Sequence, residues 1–136
     1  MRNWATNKLG ATGEFDVLPT IGSKEFVAWL PTFLQSKSVL FPEVAYPTYL
    51  VGSMISGATA QAVGINANAW PKAELAWINS PSNPTGQVQS EAELAAVINW
   101  SRQNNAIVAS DECYLSFAKS AKSILALTNG DNTNLI

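Results

Sequence analysis

Apolar residues recur along this chain with more than one period. Phe26, Trp29, Leu30, Phe33 and Leu34 fall at i, i+3, i+4, i+7 and i+8, which is one stripe of a helix. The helix starts near Ser23, and Pro31, which lacks an N–H, kinks it or limits its regularity. Val39-Leu40-Phe41 is a short apolar run stopped by Pro42 and reads as a buried strand. Thr48 to about Gly57 forms a second helix, with Pro47 at its start and Gly57 near its end. Ala60–Ile65 and Leu75-Ala76-Trp77-Ile78 are two further strands. The clearest helix runs from about Glu91 to Asn104. Ser90 and Glu93 make a capping box before it, each side chain satisfying a free N–H of the first turn, and Asn104-Asn105 is a left-handed stop. Ala106-Ile107-Val108-Ala109 is apolar without alternation, as expected of a strand covered on both faces.

The resulting order is helix, strand, helix, strand, strand, helix, strand. Crossovers of this kind imply an α/β fold, a mainly parallel sheet with helices on both faces. Thr128–Thr133 is a turn-rich loop, and Asn134-Leu135-Ile136 opens another strand. No internal repeat or low-complexity tract interrupts the pattern.

Composition narrows the classes. The chain has 136 residues, 47% of them hydrophobic and 13% charged, against the roughly 25% charged residues of an ordinary soluble domain. The apolar content excludes disorder. The low charge fits either a compact domain with a weakly charged surface or a piece whose apolar faces meet something else. Eight Lys and Arg against ten Asp and Glu leave no electrostatic footprint for nucleic acid. Cys113 alone cannot make a disulfide framework and fits a reducing compartment. The absence of His excludes His-based acid–base catalysis and His metal sites. No apolar leader follows Met1. Val44–Pro71 is free of charge, but Gly52, Gly57 and Gly64 and several polar residues break it, so a buried helix and strand explain it better than a membrane span.

Ligands of open parallel sheets bind beyond the carboxyl ends of the strands. Three polar loops leave strands or enter helices: Pro19–Lys24, Asn79–Gly86 and Ser110–Tyr114. In the first, Gly22 and Ser23 open a helix, where free N–H groups and the helix dipole suit a phosphate; an ordinary N-cap by Ser23 explains the same residues. The second, Asn79–Gly86, is a tight turn, which by itself explains Pro84 and Gly86; the side chain of Asn83, restrained by Pro84, is a candidate for contact with a ligand. The third sets Asp111 directly after a buried strand, with Tyr114 three residues on. A carboxylate there needs a partner, either a cationic ligand or the N–H groups of the next turn.

Together these loops resemble the class I/II, fold-type I, pyridoxal-phosphate-dependent aminotransferases. Asn83-Pro84-Thr85-Gly86, then Asp111-Glu112-Cys113-Tyr114 beginning 25 residues after Gly86, carry the resemblance. Ala45-Tyr46-Pro47-Thr48-Tyr49 and Gly22-Ser23-Lys24 match in order and spacing. The stretch from Val17 to Glu25 is most similar to the succinyldiaminopimelate aminotransferases of lysine biosynthesis. The resemblance implies that Asp111 pairs with the pyridine nitrogen of pyridoxal 5'-phosphate. It implies that Asn83 and Tyr114 donate to the ring phenolate, that Tyr46 stacks on the ring, and that Gly22, Ser23 and Lys24 hold the phosphate. It further implies amino-acid and 2-oxo-acid substrates, a homodimer and a cytoplasmic enzyme, with no nucleic acid or membrane partner.

Three departures stand out. None of Lys8, Lys24, Lys37, Lys72, Lys119 and Lys122 lies in the Ser-x-Ser-Lys-like segment of the family's Schiff-base lysine. Arg2 and Arg102 do not match the arginines that bind a substrate carboxylate. Gln35-Ser36-Lys37-Ser38 replaces the usual Gly-Asp turn. The expectation is a partial large domain over residues 1–136, ending before the Schiff-base lysine and inactive alone. A carbon–sulfur lyase or decarboxylase of the same fold, or a non-catalytic degenerate module, are the other readings. A nucleotide-binding doubly wound domain is disfavoured by the lack of a Gly-x-Gly-x-x-Gly or phosphate-loop lysine motif.

Overall fold

The structure, a computed structural model, describes residues 1–136. Its elements are α1 (Arg2–Leu9), α2 (Ser23–Phe33), β1 (Ser38–Pro42), α3 (Thr48–Ser56), β2 (Thr59–Val63), β3 (Leu75–Asn79), α4 (Glu91–Asn104) and β4 (Ile107–Asp111). Short 3-10 turns lie at Ala67–Ala69, Leu115–Phe117 and Ile124–Leu127. The four strands form one sheet in the order β2-β1-β3-β4, and every pairing is parallel. The α/β alternation expected from the sequence is the observed one.

Alternation within β3 explains why its sequence shows no polar face. All five of its residues are buried. Leu75 and Trp77 point to one side, where they join Val27 and Leu30 of α2, Tyr49 of α3, Val39 and Ala109. Ala76 and Ile78 point to the other, where they join Leu40, Val108 and Leu94, Val97 and Ile98 of α4. A period-2 strand between two helical layers buries both faces. α4 begins as expected: Ser90 accepts from the Glu93 N–H while Glu93 accepts from the Ser90 N–H. It ends at Asn105, in the left-handed conformation at φ 49.

The sheet registers place the functional loops. β3 and β4 pair over five positions, ending at Asn79 opposite Asp111. β1 and β3 pair only at Val39–Leu75 and Leu40–Ala76. The chain leaves β1 toward β2 on one side and leaves β3 toward β4 on the other. The two strands where that direction reverses therefore border the crevice in which such sheets bind ligands.

The structure adds to and corrects several expectations. α1 has no counterpart in the sequence reading, because only Ala5 of its eight residues is buried and no apolar stripe marks it. α2 runs through Pro31, which is buried, and ends two residues later at Phe33. Gly22, not Ser23, caps α2, and no side chain caps its N-terminus. β2 stops at Val63, short of Ile65. Leu135 makes a parallel bridge to Val108, so the chain's last residues do begin to extend the sheet beyond β4.

α2 and α3 pack through Gly52. A Cβ at this position would lie 2.7 Å from the carbonyl oxygen of Ala28 and 3.0 Å from its Cα. Glycine here allows one helix backbone to lie directly on the other. Gly52→Ala is therefore expected to destabilise the fold by about 1–3 kcal/mol through overpacking, read as a lower urea midpoint with an unchanged slope.

Candidate cofactor site

The carboxyl ends of β3 and β4 are held together by one asparagine. Asn79 donates from Nδ2 to the Asp111 carbonyl at 2.8 Å and accepts at Oδ1 from the Asn83 N–H at 2.7 Å. A buried amide must find partners, and here those partners are the two loops that carry the predicted chemistry. Asn83 Nδ2 in turn lies 3.4 Å from the hydroxyl of Tyr114, to which it donates. The peptide bonds before Pro81 and Pro84 are cis.

Asn79, Asn83, Asp111 and Tyr114 line a cavity of about 180 Å³ with Ser23, Lys24 and Val27 of α2, Tyr46, Tyr49 and Cys113. Six of the seven residues singled out from the sequence face it: Ser23, Lys24, Tyr46, Asn83, Asp111 and Tyr114. Gly22 does not line it. Its φ of 177 is extended backbone open to any residue, so its part is confined to the N–H groups at the start of α2. Those groups have no intrahelical acceptor and no side-chain cap. Lys24 is the one cationic side chain lining the cavity.

Asp111 is gripped from two directions. Its Oδ1 accepts the Cys113 N–H at 3.3 Å, the turn-capping bond that the sequence left as an alternative. Its Oδ2 accepts the hydroxyl of Tyr49 at 2.8 Å. Tyr49 has no solvent exposure, and its ring stacks on Trp77 at 5.2 Å and meets Tyr46 edge-on at 6.2 Å. Burial, reinforced by the neighbouring Asp111 charge, pushes the Tyr49 hydroxyl far above its usual range, so it remains a neutral donor. Burial also pushes the Cys113 thiol up to about 11, again with help from Asp111.

Besides the apolar Val27, the cavity residues to which the sequence assigned no role are Tyr49, Asn79 and Cys113. The signal for Tyr49 was present. It shares a helical face with Gly52, Ser53 and Ser56, and a phenol on a buried face requires an acceptor. The signal for Asn79 was a polar residue closing an otherwise apolar strand.

Glu112 points away from the cavity toward the following segment. It accepts from the Ile124 N–H at 2.9 Å and the Ser110 hydroxyl at 2.9 Å. Burial raises its carboxyl above the ordinary value of 4.5, and those hydrogen bonds only partly oppose the shift.

Comparison with known proteins fits this arrangement. Residues 3–136 match the family described as aminotransferase class I and II. A probable aminotransferase of Mycobacterium tuberculosis is 40% identical over 131 residues, covering 90% of this chain and 31% of that protein. The 4-dedimethylamino-4-oxo-anhydrotetracycline transaminase of Streptomyces rimosus is 38% identical over 120 residues, covering 84% of this chain and 33% of that one. The solved structure of N-succinyldiaminopimelate aminotransferase from Mycobacterium tuberculosis superposes with a TM-score of 0.79 at 26% identity, covering 98% of this chain and 40% of that chain. The chain belongs to the class I and II aminotransferases, a pyridoxal-phosphate-dependent family of fold type I. It spans about a third of the length of the curated relatives it matches.

Two outcomes follow from the titrating groups. A folded-state pKa raised above the unfolded value means that the folded chain binds the proton more tightly. Stability from Glu112 is then full below pH 4.5 and is lost as pH rises through the raised value. Unfolding free energies measured from pH 4 to 8 are expected to show Glu112→Gln gaining on the unsubstituted chain as pH increases. Cys113, although exposed, is expected to react with iodoacetamide at pH 8 at least about tenfold more slowly than a free thiol, because the thiolate is the nucleophile and is scarce here.

Proposed function

We propose that these 136 residues form the cofactor cradle of an aminotransferase and lack its covalent anchor. The observation that carries this reading is the single cavity lined by Asp111, Asn83, Tyr114, Tyr46 and the uncapped start of α2. Each wall suits a different part of pyridoxal 5'-phosphate. The Asp111 carboxylate, held by two donors but open toward the cavity, would accept a hydrogen bond from the protonated pyridine nitrogen and so favour its charged form. Asn83 and Tyr114, already within 3.4 Å of one another, donate to the ring oxygen. Tyr46 covers a ring face. The N–H groups at Gly22, Ser23 and Lys24 would hold the phosphate.

When bound, the cofactor supplies an electron-withdrawing ring that accepts the electron pair left on the substrate's α-carbon. The residues of this chain bind and orient; none of them is placed to move the proton from that carbon. Lys24 belongs to the phosphate end, and no other lysine lines the cavity. The proton-transferring lysine and the arginines for the substrate carboxylate are supplied outside these residues. Amino-acid and 2-oxo-acid substrates, a homodimer and a cytoplasmic setting follow for the complete enzyme.

The substrate is proposed more narrowly from the relatives' names. Likeness to a protein named for N-succinyldiaminopimelate supports a role in lysine and diaminopimelate biosynthesis. The transaminase named for a tetracycline intermediate is nevertheless 38% identical over most of the chain.

The test is to titrate the chain with pyridoxal phosphate, reduce with borohydride and weigh the product. A saturable spectral change without a stoichiometric adduct is expected, weakened about tenfold in Asn83→Ala by loss of a charge-assisted donor. No transamination is expected with an amino donor and 2-oxoglutarate. Failure of the unsubstituted chain to bind would favour the degenerate-module reading; a stoichiometric adduct on one lysine would mean that the anchor is present after all.

A further inference from the structure

Tyr49 lines the cavity and joins parts that arrive from different segments. It belongs to α3, whereas Asp111 ends β4, 62 residues later in the chain. Its hydroxyl donates to Asp111 Oδ2 at 2.8 Å, its ring edge meets Tyr46 at 6.2 Å with an interplanar angle of 86°, and its face stacks on Trp77 of β3. Trp77 is itself buried, with its indole N–H unpartnered, so it serves here as a flat apolar backing. A phenol with no exposed surface and two ring neighbours has one orientation available.

We propose that Tyr49 is a positioning residue: by donating to Asp111 Oδ2 and bracing Tyr46, it fixes the acid and the stacking ring relative to one another, and so sets how tightly and in what orientation the cradle holds a protonated pyridine ring. This rests on the reading that the cavity binds such a ring. An unrestrained carboxylate rotates about its last bond and loses part of its interaction with a fixed cation. One held by a buried donor does not, and the ordering cost is met when the chain folds rather than when ligand binds. The other ionisable groups around Asp111 leave this bond in place. Lys24 approaches from α2 across the cavity, Cys113 and Tyr114 follow in the chain, and Glu112 is engaged with Ser110 and Ile124. None of them supplies a second buried hydroxyl to Oδ2.

The test uses the full chain and pyridoxamine 5'-phosphate, which cannot form an imine with lysine and so reports the non-covalent cradle alone. Affinity and the induced circular dichroism of the bound ligand are measured for the unsubstituted chain, Tyr49→Phe, Asp111→Ala and the double variant. Phenylalanine keeps both ring contacts and removes only the hydroxyl. Tyr49→Phe is expected to bind about tenfold more weakly, with a smaller dichroic signal per bound ligand, while in the Asp111→Ala background it changes affinity less than twofold. Ser53→Ala, which removes a buried hydroxyl bonded to the Tyr49 carbonyl one turn away, serves as the control for general loosening of α3 and is expected to leave binding unchanged. Thermal melts confirm that each variant is folded. Equal affinity and dichroism in Tyr49→Phe and the unsubstituted chain, or an equal loss in Ser53→Ala, would overturn the positioning role while leaving the cradle intact. No binding by the unsubstituted chain would instead overturn the cofactor reading beneath it.

Discussion

The pairing of Asn79 with Asp111 at the end of the β3–β4 ladder fixes the geometry of everything chemical in this chain. Parallel strands in register bring their last residues to the same level. The loops that follow then start side by side, although 32 residues of chain separate them. The Asn79 side chain turns that coincidence into a constraint by bonding both the Asp111 carbonyl and the Asn83 N–H. A slip of one residue in the ladder would turn each side chain to the opposite face and send Asp111 toward α4. The full burial of β3 makes such a slip costly, because Trp77 and Ile78 would exchange two differently shaped cores.

Around that constraint the structure divides its labour by layer. The α4 side contains the larger apolar core and no cavity residue beyond those at the strand ends. The α2–α3 side contributes the helix start, the aromatic pair Tyr46 and Tyr49, and the floor formed by Val27. Close helix packing at Gly52 holds the two contributing segments at a fixed spacing. Stability and ligand chemistry thus rest on opposite faces of one sheet, a division that follows from the strand order and from where it reverses.

The sequence revealed the alternation of elements because buried helices and strands leave strong apolar periods. Both ends of helix α4 were legible, since its capping box and its asparagine stop are local chemistry. Helix α1 was not legible, since a helix that buries one alanine leaves no stripe. Pro31 left the course of α2 open: the helix runs through it and ends two residues later, so the missing N–H falls in its last turn. Among site residues, those in loops stood out by composition. Tyr49 and Asn79 left weaker signals, because each lies in a regular element and takes its partner from a segment distant in sequence. Gly22 was legible as a helix boundary, but its glycine character answers to no left-handed backbone and no close contact with the cavity.

Strand β2 has a consequence of another kind. It is joined to the sheet on one side only, through β1, and its five residues, Thr59-Ala60-Gln61-Ala62-Val63, contain neither charge nor proline. Such a border offers a row of unused amides and carbonyls to any extended peptide that comes alongside. Concentrated solutions of the chain will therefore be most prone to aggregate by strand addition at this margin, and a lysine introduced at the solvent-facing Gln61 is the simplest guard against it.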